Sequence, residues 1–188
     1  MSRGKKLIAL DTYYFSETEA KTAGVIFEGW QASKPVEIIE SWCDEFGPYI
    51  PGEFYKRELP CILNLLCSNF KNLDDFDAII LDSLARLPGE SDGLGIRLQD
   101  ALDERGMLTD DVVDRTGIIG VAKTKFLGAQ GDTGTAKVFR GESKLPLYVN
   151  TTWFGYSSFS AAACVKSMHG EYRIPTLLKL ADTESRRR

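Results

Sequence analysis

The chain has 188 residues, 43% of them hydrophobic and 27% charged, with a formal net charge of -4. That length suffices for one domain with a sizeable core, and no apolar run approaches the roughly 20 residues of a membrane-spanning helix. Four irregularly spaced cysteines and a single histidine, His169, exclude a disulfide scaffold, the usual Cys/His zinc sites and most His-dependent nucleophilic mechanisms. The basic start runs into an apolar stretch too short for a signal peptide, so residues 1–188 are expected to form a single cytoplasmic domain, with no membrane involvement.

In chain order, residues 5–12 (KKLIALDT), 22–30 and 36–42 read as strands. Turn signals at Gly29 and at Ser33, Lys34 and Pro35 suit an antiparallel meander. The segment Gly47-Pro48-Tyr49-Ile50-Pro51-Gly52 forbids a regular element and reads as a shaped loop. From 53 to 70, Phe54, Leu59, Ile62, Leu63, Leu66 and Phe70 recur at helical spacing, and Pro60 is tolerable only near the first turn.

Residues 76–82 (FDAIILD) form a nearly all-apolar run, as expected of a strand buried on both faces. An amphipathic helix is expected over 93–105 and another buried strand over 116–123. A strand over 147–152, paired with 137–139, and helices over 158–166 and 175–182 complete the reading. Three antiparallel strands followed by alternating helices and strands imply an α/β fold: a mixed sheet covered by helices.

Charge is segregated along the chain, with eight acids between 90 and 114 and a basic stretch from Lys123 to Lys144 available for phosphates. Three acids stand out by position: Asp11 at the end of the first strand, Glu58 beside Arg57, and Asp82 at the end of the central buried strand. Each alone is an ordinary strand-end or helix-start acid. Together they suit a crevice at a sheet edge, where converging carboxylates hold hard cations such as Mg2+ or Mn2+. Two such ions activate water and stabilise the leaving oxygen of a phosphodiester. The combination therefore points to a metal-dependent nuclease.

The runs PYIPGEFYKRELP (48–60), DAIILDS (77–83), IIGVAKTKFLG (118–128) and PTLLKLAD (175–182) resemble the motifs of the endonuclease V family, in the same order and across nearly the whole chain. The resemblance implies a ribonuclease H-like fold. It also implies a monomeric enzyme that nicks DNA, and in some members RNA, at the second phosphodiester bond 3′ of a deaminated purine, chiefly inosine. By motif, Asp11, Glu58, Asp82 and Asp182 correspond to metal-binding acids, and Lys123 to a lysine near the scissile phosphate. Pro48, Tyr49, Ile50 and Pro51 correspond to a wedge whose aromatic ring fills the gap left by a flipped base. Gly52, without a Cβ, would let backbone approach that base.

The chain also departs from the family. Where the family reads VDGxGxxHPRxxG, residues 81–89 read LDSLARLPG, so Ser83 replaces a glycine near the flipped base and the histidine is absent. Two other readings therefore stand beside an inosine-specific nuclease. One is a nuclease directed to another lesion or to a distorted structure; the other is a catalytically inactive nucleic-acid-binding relative. Elsewhere, His169 reads as a plain surface residue, and the glycine-rich 128–134 stretch as a hairpin tip without the GKS ending of a phosphate loop. Trp153, Phe154, Tyr156 and Phe159 read as core aromatics rather than base-stacking rings, and residues 186–188 (RRR) as a frayed basic tail rather than a phosphate contact.

Overall fold

The computed structural model describes residues 6–51, 55–87, 93–111, 114–124, 134–152 and 156–188. The opening meander is β1 (Lys6–Ser16), β2 (Glu19–Glu28) and β3 (Glu37–Cys43), followed by α1 (Tyr55–Asn69) and β4 (Phe76–Leu81). Then come α2 (Leu94–Glu104), β5 (Gly117–Ala122), β6 (Ala136–Val138), β7 (Leu147–Thr151), α3 (Ser158–Ser167) and α4 (Thr176–Ser185). Every element expected from the sequence is present. The largest difference is β1, which continues five residues past Asp11 because β2 pairs with it as far as Ser16.

The strands form one seven-stranded sheet in the order β3-β2-β1-β4-β5-β7-β6. β1, β4 and β5 run parallel at its centre, and the outer strands are antiparallel. This mixed α/β sheet is the ribonuclease H-like architecture expected from the sequence. Helical crossovers join the parallel strands, which explains why β4 and β5 are apolar along nearly their whole length. The β2–β3 connection needs a positive φ at its first turn, supplied by Gly29 at 86°.

Side-chain alternation divides the core between the two faces of the sheet. On one face, Ile8, Leu10, Ile79 and Leu81 pack with Ile62, Leu65 and Leu66 of α1 and with Leu98 and Leu102 of α2. On the other, Leu7, Ala9, Ile80 and Val121 pack with Ala161 and Val165 of α3 and with Leu177 and Ala181 of α4. Each fully buried Leu or Ile contributes roughly 1.5–3 kcal/mol. The two layers fix α1 and α4 against opposite faces of β1, so the acids they carry reach the same sheet edge from opposite sides.

The segment that leads into α4 is held by Arg140, which is 4% exposed. Its Nη1 donates to the carbonyls of Tyr172 (2.5 Å) and Arg173 (3.3 Å), and its Nη2 to those of Met168 (2.5 Å) and Gly170 (3.2 Å). Burial pushes the guanidinium pKa down, and the four carbonyl dipoles keep the charge tolerable. Arg140→Leu is expected to cost about 3 kcal/mol, because buried carbonyls lose charged donors. Urea denaturation checks this, and a midpoint equal to that of the wild type would refute it.

Two expectations fail at the surface. Phe159 is 81% exposed on α3 rather than packed in the core. The apolar side of that short helix is its alanine and valine side, and Phe159 faces away from it. The 186–188 tail is not frayed: Lys21 holds the Arg187 carbonyl, and Arg188 pairs with Glu19. Tyr156 does pack, edge-on to Trp30 at 6.0 Å between ring centroids. Trp153, Phe154 and residues 128–133 lie outside the described residues.

Candidate active site

The site is built on strand register. β1 and β4 pair in parallel up to Leu10↔Leu81, so the next residue on each strand, Asp11 and Asp82, emerges at the same level where β4 ends. Both follow the alternation of Ala9 and Ile80, towards the α4 face. Asp182 arrives from α4 on that face and is hydrogen-bonded to Asp11. Glu58 arrives from the first turn of α1 on the opposite face, where the helix dipole favours an acid. A cavity of about 50 Å³ opens beside Asp82, Lys123 and Asp182, with an apolar wall that includes Ile80, Val121 and Leu178.

The electrostatics record the crowding. Burial, and then the charge of Asp82 and the hydrogen bond to Asp182, pushes Asp11 well above the ordinary carboxylate range. Burial, then Asp11 and Asp82, pushes Glu58 up to about 8. Burial also raises Asp82, against the opposing charge of Lys123, whose Nζ lies 3.7 Å from Asp82 Oδ2. Burial would raise Asp182 too, but Arg186 Nε at 2.8 Å and Lys179 Nζ at 3.1 Å, together with a proton donated by Asp11, hold it low. Asp11 is thus pushed towards holding its proton while Asp182, paired with two cations, is pushed towards releasing its own.

An all-oxygen set of carboxylates whose charges oppose one another fits a hard divalent cation. As the side chains stand, no three His, Cys, Asp or Glu residues among the described ones are grouped closely enough to hold a metal ion. Their charges are met instead by cations of the chain itself, Lys123 at Asp82 and Lys179 and Arg186 at Asp182. The Lys123–Asp82 pair is exposed on both sides and worth no more than about 1 kcal/mol, and the cationic partners of Asp182 are themselves exposed.

The sign of the resulting pH dependence is set by Glu58. Its folded pKa lies above its ordinary value, so between pH 4.5 and about 8 the folded state binds more protons than the unfolded state. The metal-free protein should thus lose thermal stability as pH rises through that window. Added Mn2+ should restore stability at pH 8 more than at pH 5, because protons and metal compete for the same oxygens. Thermal melts with and without Mn2+ test this, and equal metal-induced shifts at both pH values would contradict it.

Beside the acids, the segment 83–87 is tied down from β7. Asn150 Oδ1 accepts from the backbone N–H of Ala85 (2.8 Å) and Arg86 (3.3 Å), while its Nδ2 donates to the carbonyl of Arg86 (2.8 Å). Arg86 Nε donates to the carbonyl of Thr151. The Ser83 hydroxyl is buried with no hydrogen-bond partner among the described residues. The loop also presses on Gly120, where a Cβ would lie 2.1 Å from Ala85 N and 2.3 Å from Ser83 O.

Of the site residues expected from sequence, Asp11, Glu58, Asp82, Asp182 and Lys123 come together, and Ser83 adjoins them. In the loop before α1, Pro48, Tyr49, Ile50 and Pro51 are exposed, Tyr49 by 61%, and Gly52 lies outside the described residues. Sequence reasoning missed Asn150 and Arg186. Asn150 is a buried amide on a short strand beside Val149, and Arg186 lies four residues after Asp182 on one helical face; both signals were available. His169 is exposed, with its Nδ1 3.0 Å from Thr176 Oγ1 at the start of α4.

No protein-family model matches the sequence, and no curated protein matches it. Solved structures do resemble it. Human ENDOV superposes with a TM-score of 0.70 at 18% identity, covering 97% of this chain and 83% of that one. Ciona intestinalis endonuclease V, solved with a 24mer DNA containing an inosine followed by a ribo-adenosine, gives 0.72 at 19%, covering 98% and 85%. Aquifex aeolicus Argonaute gives 0.58 at 10%, covering 98% of this chain but 28% of its own. Among the described residues no helix is long and apolar enough to cross a membrane. In its fold, the chain is an endonuclease V-like, ribonuclease H-like α/β protein.

Proposed function

We propose that the chain is a metal-dependent endonuclease acting on DNA or RNA, which hydrolyses a phosphodiester bond 3′ to a deaminated base, inosine first among them, in nucleic-acid repair. One observation carries the reading: the β1–β4 register brings Asp11 and Asp82 out side by side, within electrostatic reach of Glu58 and Asp182. A protein that only bound nucleic acid would gain nothing from four acids facing a phosphate.

Asp11, Glu58, Asp82 and Asp182 would hold Mg2+ or Mn2+. The ion would supply Lewis acidity to the attacking water and neutralise charge on the leaving oxygen. Lys123, exposed beside Asp82, is placed to meet a phosphate oxygen once it leaves that carboxylate. Tyr49, exposed between prolines, suits a rigid wedge beside a flipped base.

A second reading, a nuclease for another lesion or a distorted structure, is favoured by the 83–87 segment. Leu84 and Ala85 are buried, and Ser83 puts a side chain with a buried hydroxyl where the family motif has a glycine, so this wall is shaped differently from the family's. Nicking of labelled single- and double-stranded oligonucleotides, with inosine, uracil, xanthine, an abasic site or a flap, in Mg2+ and Mn2+, separates the two. Cutting one nucleotide beyond inosine supports the first, and preference for another substrate supports the second. No metal-dependent cutting of any substrate by folded protein would end both.

A further inference from the structure

On the α4 face, Asp11, Ala23 and Glu40 form one row across β1, β2 and β3, and Tyr13, Lys21 and Trp42 form the next. Phe15, at a β-bulge, extends the second row: its ring lies 4.9 Å from Tyr13 and 5.4 Å from Trp42 between centroids. An aromatic ladder thus leads away from the carboxylate crevice. Two arginines at the end of α4 lie along it. The Arg186 guanidinium sits 4.6 Å from the Tyr13 centroid and that of Arg188 4.6 Å from the Phe15 centroid. Between them the main chain is anchored, since the buried Lys21 donates through Nζ to the Arg187 carbonyl at 2.6 Å while pairing with Glu40 at 2.7 Å.

We propose that the row Arg186 to Arg188, with its first and last guanidiniums mounted on rings, is a rail for the phosphate backbone of the nucleic-acid strand that leaves the carboxylate crevice. The proposal rests on the nuclease reading and names how its polyanionic substrate is held. A chain of net charge -4 with four acids in its crevice repels a phosphodiester, so attraction must come from a local cationic surface beside it. The row meets that need. A ring takes the flat face of a guanidinium and leaves its N–H edge directed outwards. Each arginine gives one nitrogen to a carboxylate, Arg186 to Asp182, Arg187 to Glu184 and Arg188 to Glu19, yet the side chains remain 56%, 66% and 64% exposed. The guanidinium side of each pair is open to solvent, so its free N–H edge can meet a phosphate, which accepts bidentate hydrogen bonds from such a fork.

The test is binding of a labelled single-stranded oligonucleotide to the full chain by fluorescence anisotropy, in EDTA to prevent turnover, across about 0.05 to 0.2 M KCl. Arg187→Gln/Arg188→Gln leaves Asp182 and its partners intact. It should weaken binding about tenfold or more in 0.1 M KCl and lower the slope of log Kd against log salt by about 0.7 for each phosphate no longer neutralised. Phe15→Leu keeps every charge but removes the ring under Arg188; it should raise Kd about threefold with little change in slope. Thermal melts confirm that both variants fold. Affinity and slope equal to the wild type in the double variant would overturn the rail while leaving nicking untouched. A wild type that neither binds nor nicks would overturn both proposals, whereas salt-dependent binding lost in the double variant, without nicking of any substrate, would keep the rail and remove the nuclease.

Discussion

Asp82→Asn should lower the rate of metal-dependent cleavage by about a thousandfold or more while leaving the chain folded. Metal coordination supplies several kcal/mol of transition-state charge stabilisation, and each 1.36 kcal/mol is tenfold in rate. Asp82 stands at the centre of the site: it acts electrostatically on both Asp11 and Glu58 and has Lys123 at 3.7 Å. The amide keeps the shape and removes one charge from a crowded set. Without metal, therefore, the variant should melt no lower than the wild type at pH 8, and the Mn2+-induced rise in Tm should shrink. Turnover close to the wild type would sink the assignment of Asp82 as a ligand. A collapse of stability with no metal would show instead that the acid is structural.

Gly120→Ala should be the most damaging single methyl group near the site, costing about 2–4 kcal/mol. The new Cβ would meet backbone on the neighbouring loop, at 2.1 Å from Ala85 N, 2.3 Å from Ser83 O and 2.6 Å from Leu84 C. None of these atoms can rotate away as a side chain would. The loop must lift, taking with it the Asn150 hydrogen bonds to Ala85 and Arg86 and shifting Asp82 just before it. Urea denaturation should show the lost stability, and activity per folded molecule should fall as well. If stability fell but the specific activity of the folded fraction stayed at the wild-type level, loop 83–87 would not be what positions Asp82.

Much of this architecture is local in origin. The apolar runs of β4 and β5, the two-residue alternation of the meander and the helical spacing of Ile62, Leu65 and Leu66 are properties of short segments, so strands and helices could be placed without knowing what they touch. The acids were legible for the same reason: Asp11 and Asp82 each close an apolar strand run, and Asp182 falls near the end of the last helix. Their motifs carried the resemblance to endonuclease V that the fold then matched at under 20% identity.

What could not be read from one segment depended on contacts between distant ones. That Asp11 is not a strand end became visible only when β2 continued the pairing to Ser16. Phe159 was expected inside because it is aromatic, but α3 turns its small residues to the sheet and leaves that ring outside. The tail at residues 186–188 reads as a solvated charge run in sequence, since nothing adjacent holds it; its anchors, Tyr13, Phe15 and Lys21, belong to the opposite end of the chain. Sequence by itself determined which residues form strands and helices and which acids are available, because hydrophobic periodicity and backbone preference act over a few residues. Tertiary structure alone decided that Asp11 and Asp82 emerge side by side within electrostatic reach of Glu58 and Asp182, and that Arg186 and Arg188 lie over rings of β1, because strand register and side-chain electrostatics act across space rather than along the chain.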